Sequence, residues 1–444
     1  MIIKNLFSVL FVAVLLTGCS TAKKIFGEVE QEPLEGERIS VLQYQKEIEP
    51  TPTGLAAQVQ LPEAWDNKYW PQAGGYPNHA MGHVQLPSEL KKSWSVSVGK
   101  GEGRGGRRIL ITTPVIADGL VFTLDAYSNL SAYDVDNGSR QWRVSLVPEN
   151  EEKGGAVGGG IAYAHGRLFV TTGFNNLVSL DPKTGKKVWE KILSAPVRAA
   201  PSVAGEQVFV ATLNNKLLAY HTGTGEMLWD YTGYEEITNL LGAPSPAVDR
   251  NIVVATFSSG EIFAFRTENG KMIWGDNLSN LSQTGALTKI SDIRGLPVID
   301  KGIVYAVSYG GRMVAIDERT GARIWQREIG GSETPWAAGN AVYILTSDQK
   351  LVALSRHSGD VQWITKLRGS EKGNEENLEI WTGPILAGGR LLLASNEKRV
   401  IEVDPVNGDV IKKWKTGGKI IVAPVVADNT LFLLTNKGSL IAYR

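Results

Sequence analysis

The chain has 444 residues, with 46 basic and 46 acidic side chains and a formal net charge of zero. Balanced charge argues against a general nucleic-acid binder, which needs a basic face to release counterions. A single cysteine excludes an intrachain disulfide framework and any cysteine-built zinc or iron–sulfur site, and five scattered histidines argue against a multi-histidine metal centre. Glycine at 49 positions (about 11%, against a usual ~7%) and 12 tryptophans point to an all-β chain of many short strands.

Residues 1–18 read as a lipoprotein signal peptide. Lys4 is the charged flank, and Leu6 to Leu16 is an apolar run too short to cross a bilayer as a helix. Leu16-Thr17-Gly18-Cys19 resembles the bacterial lipobox, so Cys19 is the expected lipidation site. Two or more acyl chains give stable anchoring. Ser20 stands where an Asp would retain such a lipoprotein at the inner membrane, so likeness to Gram-negative lipoproteins implies the periplasmic face of the outer membrane. The plainer reading is a secretory signal with an incidental cysteine.

Residues 19–60 carry Glu28, Glu30, Glu32, Glu35 and Glu37 and then Pro50-Thr51-Pro52-Thr53-Gly54, the composition of a flexible tether. Residues 61–90, with Trp65, Tyr69, Trp70-Pro71, Tyr76, His79 and His83, read as an aromatic strap packed on the body of the chain.

From residue 91 the chain repeats itself. PVIADGLVF opens at Pro114, and its echoes open at Pro201, Pro246, Pro297, Pro335, Pro384 and Pro424; an eighth copy, IAYAHGRLF, has Ile161 for proline. The mean spacing of about 44 residues is that of one four-stranded propeller blade. A second phrase also recurs, a small-residue strand, a turn closed by Gly and then Trp, ending at Trp142, Trp189, Trp229, Trp274, Trp325 and Trp363. In the seventh copy Lys412 holds the tryptophan position, with Trp414 two residues on. Proline suits the start of an innermost strand, and glycine the turn that needs φ > 0. No blade buries both sheet faces alone, so neighbours must stack in a ring. The last unit stops at residue 444 without a fourth strand, while Ser93 to Val98 is a spare strand with Trp94. The expectation is an eight-bladed β-propeller over residues 91–444, closed by that N-terminal strand.

AIDERTGARIW, residues 315–325, is similar to the propeller repeat of pyrroloquinoline-quinone dehydrogenases. Together with the lipobox, the acidic tether and residues 281–325, it makes the chain resemble the BamB family, lipoproteins of the outer-membrane β-barrel assembly machinery. The tether and the Trp70–Gly75 segment are longer than that family's N-terminus. The resemblance implies a non-enzymatic scaffold without cofactor that binds the POTRA region of BamA and aids insertion of β-barrel proteins. It leaves other lipoproteins of the machinery open as further partners. A family segment Leu-x-Leu-Arg-Gly corresponds to Thr238–Gly242, so Leu240 and Gly242 match and Leu241 replaces Arg. A second, Ser-Asp-x-Asp, corresponds to Ser291–Arg294, so Asp292 matches and Arg294 reverses a charge.

These positions fall in two long apolar links that flank the fourth blade. One carries Tyr231, Tyr234, Ile237, Leu240 and Leu241, the other Leu278, Leu281, Leu287, Ile290 and Ile293. Long apolar links suggest a binding patch, against the plainer reading that they cap blade ends. The charged link 367–383 reads as solvated. The alternative function is a quinone-dependent dehydrogenase-like enzyme, or a ligand sensor using the channel; the chain shows no vicinal cysteines and no calcium-ligand spacing. His79 and His83 lack a third metal ligand, and the glycine-rich residues 99–108 lack the Gly-Lys-Ser/Thr ending of a phosphate loop.

Overall fold

Each repeat folds into the four strands its pattern predicts. The computed structural model describes residues 48–103, 110–233, 244–279, 293–367 and 379–444. Blade 1 is β2 (Val115–Ala117), β3 (Leu120–Leu124), β4 (Asn129–Asp134) and β5 (Arg140–Ser145), antiparallel throughout. Blades 2 to 7 repeat this order, and every sheet has four strands. Inner strands are mostly buried, wholly so in β2, whereas outer strands such as β5 alternate toward solvent.

The ring closes as expected. β1 (Lys92–Ser97) pairs antiparallel with β32 (Ser439–Tyr443), and that sheet runs β1, β32, β31 (Thr430–Leu434), β30 (Val425–Ala427). Blade 8 is therefore sewn from both ends of the propeller sequence, and Lys91 and Arg444 exchange two backbone hydrogen bonds where the other blades have a turn.

The tryptophans show why the phrases recur. Trp142 lies opposite Ala132, Trp189 opposite Ser179 and Trp229 opposite Ala219, so a small residue on the third strand leaves room for the ring. Each ring then reaches the next blade. The indole N–H of Trp142 donates to the carbonyl of Pro182 at 2.9 Å, and that of Trp229 to Thr267 at 2.7 Å. The glycine of that neighbouring turn lies flat on the ring: a Cβ on Gly185 would come within 2.7 Å of Trp142. Trp94 does the same from blade 8 to blade 1, on Val135 and Gly138. The seam from blade 7 to blade 8 departs, because the accepting turn is replaced by the pairing of Lys91 with Arg444. There Trp414 packs on Tyr443 with centroids 5.0 Å apart and donates to Glu402 Oε1 at 2.8 Å. Glu402 also pairs with buried Arg390 at 2.9 Å. Lys412 at the expected tryptophan position follows from the missing turn.

Residues 51–60, whose composition suggests the end of a tether, are held on the propeller. Thr51 caps the short helix α1 (Pro52–Ala56), with Oγ1 accepting from Gly54 N at 3.1 Å. Its own N–H donates to Val361 O at 3.0 Å, and Gln362 donates to Ala57 O at 2.9 Å. A Cβ on Gly54 would lie 2.0 Å from Val361 O, so glycine allows this approach. Proline and threonine, common in disordered segments, here set a helix start. Residues 1–47 lie outside the described residues, Cys19 among them.

Candidate functional site

The strap makes one circuit of the ring in 18 residues. From Asn67 to Val84 it meets blades 8, 1, 2, 3, 4, 5, 6 and 7 in that order. Asn67 Nδ2 donates to Val426 O at 2.5 Å. Trp70 exchanges two backbone bonds with Ile116, at 2.9 and 3.0 Å. Pro71 O accepts from Tyr163 N, Pro77 O from Val248 N and Asn78 O from Ile299 N, at 2.7, 2.7 and 2.9 Å. The Gln72 carboxamide imitates a peptide, donating to Val203 O and accepting from Val203 N, both at 2.8 Å. Gly82 O accepts from the Trp336 indole at 2.7 Å, and Val84 N donates to Leu386 O at 3.2 Å. On seven of the eight blades the partner is the residue two places after the strand-opening proline or its equivalent. Backbone groups at the end of an innermost strand need partners once buried, and the strap supplies them.

The strap's own shape comes from local chemistry. Gln72 and Gly75 exchange backbone bonds across a tight turn, with Gly75 at φ +99 against Met81. Trp70 stacks on Trp336, centroids 6.2 Å apart. Both strap histidines are structural. His83 Nδ1 donates to Pro62 O at 2.8 Å, and its Nε2 accepts from Gly389 N at 2.8 Å. His79, 3% exposed, donates from Nδ1 to Pro297 O at 2.7 Å. Burial lowers its pKa to about 4, partly opposed by that hydrogen bond, so the ring is neutral at pH 7.

The strap therefore closes one end of the central channel. Above it remains a cavity of about 190 Å³. Its floor includes Trp70, Gly74 and His79, and its wall is formed by the residues that lead into the innermost strands. Among the described residues three charged side chains line it: Arg198, Arg294 and Glu333. Glu333 Oε2 already accepts from Thr382 Oγ1 at 2.7 Å and Gly383 N at 3.2 Å. Arg198 Nε is buried with no hydrogen-bond partner among the described residues.

The expected partner residues are divided by the structure. Leu240, Leu241, Gly242 and Asp292 lie outside the described residues, as do Tyr234, Ile237, Leu281, Leu287 and Ile290. Arg294 is described, and it borders the channel cavity. Three apolar link residues prove to be packing groups, which corrects their reading as a patch. Leu278 and Ile293 are fully buried in the core of blades 4 and 5. Tyr231 packs on Phe257, Phe263 and Phe265, its ring 4.6 Å from that of Phe265. The charged link of blades 6 and 7 is likewise not wholly solvated: Leu367 and Trp381 are buried, and Glu379 pairs with Arg399 at 2.6 Å. Nothing in the sequence pattern marks Arg198 or Glu333, since neither belongs to a repeated phrase.

Comparison with known proteins places this architecture. The family model for outer membrane protein assembly factor BamB matches residues 126–365. The outer membrane protein assembly factor BamB of Shewanella oneidensis is 26% identical over 355 residues, spanning 78% of this chain and 87% of that one. The crystal structure of BamB from Moraxella catarrhalis has a TM-score of 0.66 at 20% identity, covering 80% of this chain and 100% of that one. The quinohemoprotein alcohol dehydrogenase of Comamonas testosteroni shares the fold, with a TM-score of 0.64 at 14% identity over 86% of this chain and 81% of that one. With more than half of its length matched by the family model, the chain belongs to the family of outer membrane protein assembly factor BamB.

Proposed function

We propose that the protein is a non-enzymatic scaffold of the outer-membrane protein assembly machinery. It is held by lipid on Cys19 at the periplasmic face of the outer membrane. In this reading the link face binds the POTRA region of BamA and so aids insertion of β-barrel proteins. Leu240, Leu241, Gly242, Asp292 and Arg294 are the contact residues, in the two links that flank blade 4. The observation that carries the reading is the strap, set beside the family membership. It bonds backbone groups of seven of the eight innermost strands and the Trp336 indole of the eighth, so a large partner finds freer approach on the link face. The donor set of the channel also favours a scaffold over a calcium-dependent quinone enzyme. Calcium takes six to eight oxygen ligands, whereas among the described residues the cavity wall carries one carboxylate, Glu333, already engaged by Thr382 and Gly383.

Leucines buried by a partner contribute roughly 1.5–3 kcal/mol each. The double change Leu240→Asp with Leu241→Asp is therefore expected to abolish capture of purified POTRA domains by the immobilised propeller. Circular dichroism and the melting curve should stay near wild type. Undiminished capture by the folded variant places the partner elsewhere, and failure of the wild type to bind its own species' POTRA domains refutes the scaffold reading.

A further inference from the structure

The channel cavity has three properties that together select a ligand. The first is charge. Of its lining groups, Arg198 and Arg294 are cationic and Glu333 is anionic, while the buried His79 is neutral at pH 7. Among the described residues the surplus is one positive charge, suited to a monoanion. Glu333 spends its Oε2 on Thr382 and Gly383, so it is held in place by neutral donors. Arg198 keeps a buried Nε with no partner among the described residues, although an unmatched buried donor costs free energy. Its stem is confined by the backbone of Gly158, where a Cβ would lie 2.7 Å from Arg198 Cγ.

The second property is surface. Between the charged groups the cavity is lined by Trp70, Trp336, Ile385, Val425 and Ile111. An inorganic anion would leave these apolar groups uncovered. The third is size. A cavity of about 150 Å³ holds a benzene molecule, so about 190 Å³ accepts a six-membered ring with one small polar substituent. The strap closes the floor, which makes the cavity a blind cup at the centre of the ring.

We propose that the cup is a binding site for a small monocarboxylate bearing an apolar ring, with Arg198 and Arg294 receiving the carboxylate and Trp336, Ile385 and Val425 the ring. The guanidinium fork matches a carboxylate in geometry as well as charge. The two arginines come from links before blades 3 and 5, so only the closed ring brings them to one cavity. Arg294 is also among the proposed BamA contacts, so binding is measured on the propeller alone, where POTRA contact plays no part.

The test uses benzoate as probe and benzamide as its neutral isostere, titrated calorimetrically into the intact propeller at pH 7. The wild type should bind benzoate and bind benzamide at least about tenfold more weakly, as expected when charge-assisted hydrogen bonds are lost. Arg198→Gln and Arg294→Gln should each weaken benzoate by about tenfold to a hundredfold, with unchanged melting curves. Arg294 is exposed, so its variant is expected to fold even if the Arg198 variant does not. Ala423→Phe, at the cavity wall, should block benzoate without altering the arginines. Equal affinity for benzamide, no benzoate binding by the wild type, or undiminished binding by folded Arg294→Gln overturns the proposal.

Discussion

Acid should loosen this propeller through one residue, His79. The imidazole is 3% exposed and its Nδ1 donates to Pro297 O at 2.7 Å. Its Nε2 is buried with no partner among the described residues, so the added proton would have nowhere to go. Burial lowers the folded pKa to about 4, from 6.5 in the unfolded chain. Between these values the unfolded state holds more protons, so stability rises with pH across the window and is lost on acidification. The full shift corresponds to about 3 kcal/mol, of which roughly 2 kcal/mol is lost between pH 7 and pH 5. The carboxylates of Asp181, Asp317, Asp348 and Asp360 are held below their ordinary range, so their contribution is lost at lower pH. His79→Asn removes the titration and tolerates the left-handed backbone at φ 59. Urea denaturation followed by circular dichroism at pH 7 and pH 5 should show the wild type losing about 2 kcal/mol more than this variant. Parallel losses in the two proteins would refute the assignment.

Closure of the ring makes a second prediction. Trp94→Ala removes a buried ring that donates to Val135 and packs on Phe432 and Gly138, so it should cost about 3–5 kcal/mol. Trp94→Phe should cost about 1 kcal/mol, and hydrogen exchange in β1 and β32 should rise most in the alanine variant. Equal melting temperatures for wild type and Trp94→Ala would count against the seam. The turns offer a paired test. Gly119 and Gly225 have φ of +73 and +67, but a Cβ meets nothing at Gly119 and lies 2.8 Å from the Trp189 ring at Gly225. Gly119→Ala should cost about 1 kcal/mol of backbone strain and Gly225→Ala about 1 kcal/mol more, read by chemical denaturation. Identical losses would mean that the glycine-on-tryptophan contact contributes nothing.

The blade count, the order of strands and the closing strand at Ser93 to Val98 were legible in the amino-acid sequence. Each depends on a local pattern that recurs: proline before an inner strand, a small residue opposite Trp, and glycine where the turn meets that ring. Even the absent tryptophan at Lys412 was visible, although its reason, a turn replaced by the Lys91–Arg444 pair, needed the ring. Leu278 and Ile293 show the limit of composition, because an apolar residue in a link reads the same whether it caps a core or faces a partner. The circuit of the strap was not legible. Its contacts are mostly backbone carbonyls and amides, which every residue carries, so no side-chain pattern announces them. The meeting of Arg198, Arg294 and Glu333 in one cavity was beyond reach for a different reason, although Arg294 itself was singled out as a contact residue. The three stand in separate links, and only closure of eight blades around one axis turns distance along the chain into a shared cavity.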